Sequence, residues 1–347
     1  MNRKLVFYIT GHGFGHASRT IEVINTVLTL EPALDIYVRT SAPRWLFDLT
    51  VNGRFTYEHC ECDPGMVQID SVRLDEEASV SRAVRFMASF ADRIAREAAT
   101  LSELRPGLVV ADMPALGIAA AVRAGVPAVA LGNFTWDWIY SAYPGTERVI
   151  IALAAAYSQA ALALRLPMWG GFGAFSTIVD VPFVARHAMR AAEDTRTHLG
   201  LAPDTRVVLP SFGGHGLEGL GHVAQAPDGY DVIAEVDEKR LYADGFRYED
   251  LVRAADVVVT KPGYGIIAEC LANDTAILYT DRGRFIEYDV LVAAMPRFLR
   301  CAYIDHDDLF AGRWQEHLDK LLAQPAPRER PATNGADVAA DLLLRML

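Results

Sequence analysis

Two histidines stand four residues apart in Gly11-His12-Gly13-Phe14-Gly15-His16. An apolar strand pattern at 5–9 precedes this run, and an amphipathic helical pattern at 20–30 follows it. Glycines at such a corner permit tight turns and close approach of backbone to a ligand. An imidazole is the natural proton acceptor for a hydroxyl near neutral pH, so His16 is a candidate general base, against a purely structural place at the helix start. For His12 the structural role in the loop is the simpler reading. A metal would need at least a third ligand beside the two histidines, and the sequence shows none. Asp112 ends the buried-type strand pattern of 108–112. An acid there could orient a histidine and steady its protonated form. It could equally cap the helix that begins after Pro114, and the two roles are compatible.

A second set of residues lies in the other half of the chain. Thr260-Lys261-Pro262-Gly263-Tyr264-Gly265 follows the apolar run 257–259 and opens a helical pattern containing Glu269. Strand, Pro/Gly turn and helix make an anion site, because free N–H groups and the positive end of the helix dipole face one point. Glu269 falls about one and a half turns into the helix, within reach of a group held at its start. A phosphate beside a hydroxylated sugar would fit; an ordinary corner with a surface Glu is the alternative. Ser211-Phe212-Gly213-Gly214-His215-Gly216, after the strand pattern 206–210, is another loop suited to a backbone phosphate cradle. Asp281 or Glu287, after the strand pattern 276–279, could hold sugar hydroxyls, while Arg282 and Arg284 read as solvated loop charges. Trp136 and Trp138, in the aromatic run 134–140, could line a pocket for an apolar acceptor or belong to the core.

These corners need a scaffold. Strand and helix patterns alternate along both halves, as in parallel sheets wrapped by helices. The expected helices include 84–104 and 149–165, the latter within the most apolar later run. Residues 62–81 are acidic and poorly periodic, and read as a loop near the cleft with solvated charges. A proline-rich linker at 325–331 precedes a last amphipathic helix at 336–346. The expected organisation is α/β, with two tandem domains facing across a cleft and a glycine loop at the first strand end of each. The first domain spans 1–185, the second 186–330, and a terminal segment 331–347 follows.

Composition narrows the class. At 347 residues two domains are favoured over one core. Residues are 51% hydrophobic and 22% charged, so a sizeable core can form. The net charge of −11 argues against a general nucleic-acid binder, which needs a basic surface. Cys60, Cys62, Cys270 and Cys301 form no CxxC pair, so neither structural zinc nor a disulfide framework is expected. That usage suits a reducing cytoplasm. The N-terminal apolar run is too short for a signal peptide or a membrane span, and no transmembrane segment is expected.

Taken together, the corners resemble the GT-B glycosyltransferases, the nucleotide-sugar enzymes related to MurG and the UDP-glycosyltransferases. The resemblance covers nearly the whole chain. It implies two Rossmann-like domains (a GT-B fold), an acceptor-binding first domain, a nucleotide-sugar-binding second domain, and a final helix that crosses back. Gly11 to His16 resembles the first glycine loop, with Gly13 and Gly15 on the acceptor side beside Trp136 and Trp138. It implies a catalytic base at His16 partnered by Asp112. Gly213, Gly214, Tyr264 and Gly265 resemble the diphosphate-binding positions. Phe246 and Arg247 resemble the site where main chain reads the base, and Glu269 the acid that binds ribose. Arg284 and Glu287 fall in the donor-sugar segment.

Gly11 to Arg19 and Lys261 to Glu269 also look like the N-terminal portion of plant L-arabinokinase, with no counterpart of its sugar-kinase domain here. The His-Cys-Gly-x-Asn run and the initial Trp of the plant enzymes are missing, and Ile286-Glu287 replaces the double glutamine of MurG. The donor sugar is therefore not carried over. The implied function is metal-independent transfer from a nucleoside diphosphate sugar, expected to be UDP-linked, to a hydroxyl of a small-molecule, lipid or glycan acceptor. No cofactor is expected beyond the donor substrate, and a homodimer is compatible with it. A non-catalytic nucleotide-sugar sensor and a UDP-sugar 2-epimerase of the same architecture are the alternatives.

Overall fold

The computed structural model describes residues 4–213, 226–233 and 236–347. The first half alternates strand and helix: β1 (Lys4–Ile9), α1 (Phe14–Leu30), β2 (Asp35–Thr40), α2 (Arg44–Thr50) and β3 (Phe55–His59). It continues with α3 (Glu76–Ala88), α4 (Phe90–Leu104), β4 (Leu108–Asp112), α5 (Ala115–Arg123), β5 (Ala128–Phe134) and α6 (Trp136–Tyr140). Then come α7 (Glu147–Tyr157), β6 (Leu162–Gly170) and β7 (Ile178–Asp180). The second half holds α8 (Ala192–His198), β8 (Arg206–Ser211), β9 (Tyr230–Val232), α9 (Glu238–Ala243), α10 (Tyr248–Ala254), β10 (Val257–Thr260) and α11 (Tyr264–Asn273). It closes with β11 (Ala276–Tyr279), α12 (Ile286–Phe298), β12 (Cys301–Tyr303), α13 (His306–Phe310), α14 (Gln315–Leu322) and α15 (Gly335–Met346).

The strands form two sheets, in the orders β3-β2-β1-β4-β5-β6-β7 and β12-β11-β10-β8-β9. Pairing is parallel throughout, from Lys4 opposite Asp35 to Val257 opposite Ala276. Parallel strands carry helices on both faces and bury both sets of side chains. In β1, Val6 and Tyr8 join one core and Leu5, Phe7 and Ile9 the other. In β10, Val258 faces one second-half core while Val257 and Val259 face its opposite.

Chain order reverses between β1 and β4 in the first sheet, and between β8 and β10 in the second. A crevice opens at the carboxyl ends of strands where the order reverses, and ligands bind there in open α/β sheets. The chain places Gly11 to His16 and Asp112 at the first such point, and Ser211 to Gly213 and Lys261 to Gly265 at the second. The two points face each other. Ser71 Oγ donates to the Phe212 carbonyl at 2.6 Å, and Tyr143 OH to the Arg284 carbonyl at 2.7 Å. Phe285 and Tyr264, from the second half, pack into a core of the first. The final helix α15 packs against α1, and its Ala336, Ala339, Ala340 and Leu343 lie in a first-half core.

Three expected elements differ. Residues 149–165 are not one helix: the helix ends at Tyr157, and 162–170 form β6. A continuous apolar run does not distinguish a buried helix from a buried strand by periodicity, and pairing with β5 decides it. Residues 84–104 break at Ser89 into two helices. The acidic segment is not uniformly solvated, since Asp63 and Asp70 are buried. Asp75 caps α3 by accepting from the Ala78 N–H.

Candidate active site at the domain cleft

Gly13 takes φ +74° at the start of α1, a conformation that glycine adopts without strain. The turn lets α1 begin at Phe14 and sets His16, Arg19 and Thr20 on its buried side. Asp112 ends β4 and is wholly buried. His16 Nδ1 lies 2.7 Å from Asp112 Oδ1. Arg19 Nε donates to Asp112 Oδ2 at 2.8 Å, and Thr20 Oγ1 to the same oxygen at 2.5 Å. Burial alone would push the Asp112 carboxyl up. Arg19 and His16 beside it outweigh that and hold it well below the usual carboxylate range.

These residues form one wall of a cavity of about 200 Å³ between the domains, open to solvent. Gly13, Gly15, His16, Arg19, Phe134 and Trp136 stand on the first-domain side. Ser211, Gly213, Lys261, Tyr264, Gly265, Arg282 and Glu287 stand opposite. The N-termini of α1 and α11 both open here, and a Cβ added at Gly265 would stand 3.5 Å from the Gly15 Cα. Two helix starts make the cavity favourable to negative charge. Lys261 adds a cation whose ammonium is pushed down to about 7 by burial and then by Arg282. Arg282 is buried and pairs with Glu287 at 3.1 Å, leaving its Nε without a hydrogen-bond partner. The Tyr264 hydroxyl is likewise buried and unpartnered.

The structure thus brings His16, Asp112, Gly13, Gly15, Trp136, Gly213, Tyr264, Gly265 and Glu287 to one place. Gly214 lies outside the described residues. Trp138 is not on the wall; its ring lies against Gly170, where an added Cβ would come within 2.3 Å. The Arg284 side chain is exposed and faces Glu76 at 3.9 Å.

Arg247 lines a separate recess with Arg186 and Glu249, facing Glu22 and Asn25 of α1. Glu269 lies beside that recess. Its Oε1 accepts from Arg186 Nε at 2.7 Å, and burial pushes its carboxyl up while Arg186 offsets part of the shift. The Phe246 ring stacks on His198 at 4.2 Å. The Phe246 N–H donates to the Leu241 carbonyl and the Arg247 N–H to Asp250 Oδ2, so both amides are engaged within the protein.

Five residues at or beside the site were not singled out in the sequence. Arg19 looks like a surface cation but shares a helix face with His16, three residues earlier, and that spacing is its one sequence signal. Lys261 sits inside the recognised motif. Asp63 and Arg282 look like loop charges; instead Asp63 accepts from Thr10 Oγ1 at 2.5 Å and Trp136 Nε1 at 3.2 Å. Arg282 is drawn inward by Glu287 and by Phe285, whose ring lies 3.6 Å from its guanidinium. Arg186 follows the first domain with no local pattern to mark it. Among the described residues, no group of three or more His, Cys, Asp and Glu is arranged to hold a metal ion. No described helix is long and apolar enough to cross a membrane.

No protein-family model matches the chain. It is similar to L-arabinokinase of Arabidopsis thaliana, 28% identical over 361 residues, covering 99% of this chain and 34% of the relative. The chain therefore spans about a third of that protein's length. Among solved structures it is similar to the calicheamicin glycosyltransferase CalG4, with TM-score 0.65 at 14% identity, covering 100% of this chain and 99% of the other. A Phytolacca americana UGT2, complexed with UDP-2-fluoroglucose and pterostilbene, aligns with TM-score 0.58 at 12% identity over 99% and 93% of the two chains. MurG of Acinetobacter baumannii aligns with TM-score 0.52 at 12% identity over 99% and 100%. The fold is that of the GT-B glycosyltransferases, with two Rossmann-like sheets.

Proposed function

We propose that the chain is a glycosyltransferase that moves a sugar from a nucleoside diphosphate sugar, UDP-linked by preference, to the hydroxyl of a small-molecule, lipid or glycan acceptor. The observation that carries this reading is the shared cavity. A histidine backed by a buried carboxylate faces the start of α11 across it. The first arrangement suits a hydroxyl nucleophile and the second an anionic leaving group.

In this mechanism His16 Nε2 takes the acceptor hydroxyl's proton while Nδ1–H remains on Asp112. The acceptor oxygen bonds to the anomeric carbon as the bond from that carbon to the diphosphate oxygen breaks. The electron pair leaves on the diphosphate. Backbone amides at Gly213, Tyr264 and Gly265, with the Lys261 ammonium, meet that charge without a metal. Glu287, held by Arg282, would accept hydrogen bonds from donor-sugar hydroxyls. The recess beside Arg186, Arg247 and Glu269 would take the nucleoside. Cytoplasmic residence belongs to the same proposal, and a nucleotide-sugar donor serves as substrate rather than cofactor.

The test is turnover of UDP-sugars against a panel of hydroxyl acceptors. Pentoses belong in the panel, given the similarity to a protein named for L-arabinose. Release of UDP coupled to a glycosylated product is expected. Replacing His16 by Ala is expected to slow transfer by about 10²–10⁴-fold. A His16→Ala rate equal to wild type would remove the base assignment. UDP binding with no donor consumed would point to the sensor, and a C2 epimer formed without acceptor to the epimerase.

A further inference from the structure

We propose that Arg19 is a positioning residue that keeps His16 uncharged, with Nδ1–H toward Asp112 and the Nε2 lone pair toward the cavity. The inference rests on the base role given to His16 above, but its test does not need turnover.

Asp112 offers two oxygens and Arg19 takes both. Oδ1 meets His16 Nδ1 at 2.7 Å and Arg19 Nη2 at 2.5 Å. Oδ2 meets Arg19 Nε at 2.8 Å and Thr20 Oγ1 at 2.5 Å. Arg19 Nη1 donates to Asn133 Oδ1, and Asn133 Nδ2 donates to the Pro167 carbonyl at 2.7 Å. The guanidinium is thereby fixed between α1, β4 and β5. Arg19 is 7% exposed and Asp112 fully buried, so solvent screens the cluster little.

A guanidinium stays charged, so the carboxylate is already matched before His16 gains a proton. A protonated His16 would set a second cation on one buried carboxylate, 2.9 Å from Arg19 Nη2. Without Arg19, the unmatched carboxylate would hold an imidazolium, which has no lone pair to accept a proton. Nδ1 has two neighbours, Asp112 Oδ1 at 2.7 Å and Arg19 Nη2 at 2.9 Å; because Nη2 already donates to that same Oδ1, we assign the Nδ1 hydrogen to the acceptor-only carboxylate, which leaves Nε2 bare.

Other charges face His16 as well. Asp63 comes from the segment after β3, His12 from the glycine loop, and Lys261, Arg282 and Glu287 from across the cavity. Asp63 already accepts from Thr10 and Trp136. Arg282 and Glu287 offset each other.

The experiment is ¹⁵N spectroscopy of histidine-labelled protein without donor or acceptor, with His16→Gln to assign the ring. In wild type at neutral pH, one pyrrole-like Nδ1 and one pyridine-like Nε2 are expected. In folded Arg19→Met the pyridine-like signal should be lost as both nitrogens become protonated. Arg19→Lys should keep it. A wild-type imidazolium, or a wild-type Nε2–H tautomer, overturns the proposal even if Arg19→Met does not fold. A folded Arg19→Met that retains the pyridine-like signal overturns it too. Absence of sugar transfer would remove the function proposed above and leave this spectrum unchanged.

Discussion

Lys261 gives the site a titration that an anionic ligand would feel. Its ammonium, pushed down to about 7, is charged below that pH and neutral above it. Affinity for UDP should therefore strengthen as pH falls through about 7, and UDP binding should take up a proton there. Calorimetry at about pH 6 and about pH 8.5 in buffers of different ionisation heat reads both effects. The Lys261→Met variant should bind more weakly at the lower pH and lose most of the slope; a slope equal to wild type would assign the titration to the ligand's own phosphate. Glu269 makes a different case. It is buried against Arg186, which also meets Glu249 at 3.3 Å. Arg186 keeps Glu249 when Glu269 is removed, so Glu269→Ala loses charge-assisted hydrogen bonds rather than stranding a charge, and should cost about 1.5–3 kcal/mol in chemical denaturation. If stability is unchanged and only nucleotide affinity falls, Glu269 is a ligand contact rather than a clamp on Arg186.

The elements that hold these residues differ in how tightly they are set. α15 begins at Gly335, whose N–H donates to the Phe183 carbonyl at 2.9 Å. A Cβ there would stand 2.2 Å from the Pro182 oxygen and 2.8 Å from the Phe183 carbonyl carbon, both backbone atoms. Gly335→Ala must move the helix start, at about 1–3 kcal/mol, typical of overpacking. The expected readout is a melting temperature lower by a few degrees. Affinity for UDP should fall as well, because Asp337, two residues into α15, lines the recess beside Arg186 and Arg247. The strand–loop–helix corners at 5–20 and 257–269 were legible because their signals are local: an apolar run, glycines, then helical spacing. The boundary between α7 and β6 was not. It depends on β5 offering a free edge to residues 162–170, and no local pattern records that.

For the whole molecule, the cleft is made by the two switch points and closed by contacts such as Ser71 to Phe212. A ligand that needs both walls binds only the folded, assembled chain. UDP or a UDP-sugar at about a hundred times its dissociation constant should then stabilise by about 2.7 kcal/mol. A thermal-shift series should show a saturating rise in melting temperature with UDP, and a flat response to uridine, which lacks the diphosphate. An equal rise with uridine would place binding in the recess beside Arg186 alone and leave the two helix starts out of it.

The sequence by itself determined the α/β alternation, the parallel-sheet fold class, and the corners that carry His16, Asp112, Ser211 to Gly213 and Lys261 to Gly265. These follow from strand and helix periodicity and from glycine placement, which act over a few residues. Tertiary structure decided which charges leave solvent. Arg19 reaches Asp112 across 93 positions of sequence, and Arg186 reaches Glu269 across 83. Asp63 finds Trp136, and Arg282 turns inward beneath Phe285. Burial of a charge depends on a partner arriving from elsewhere in the chain, and a single sequence names the candidates without pairing them.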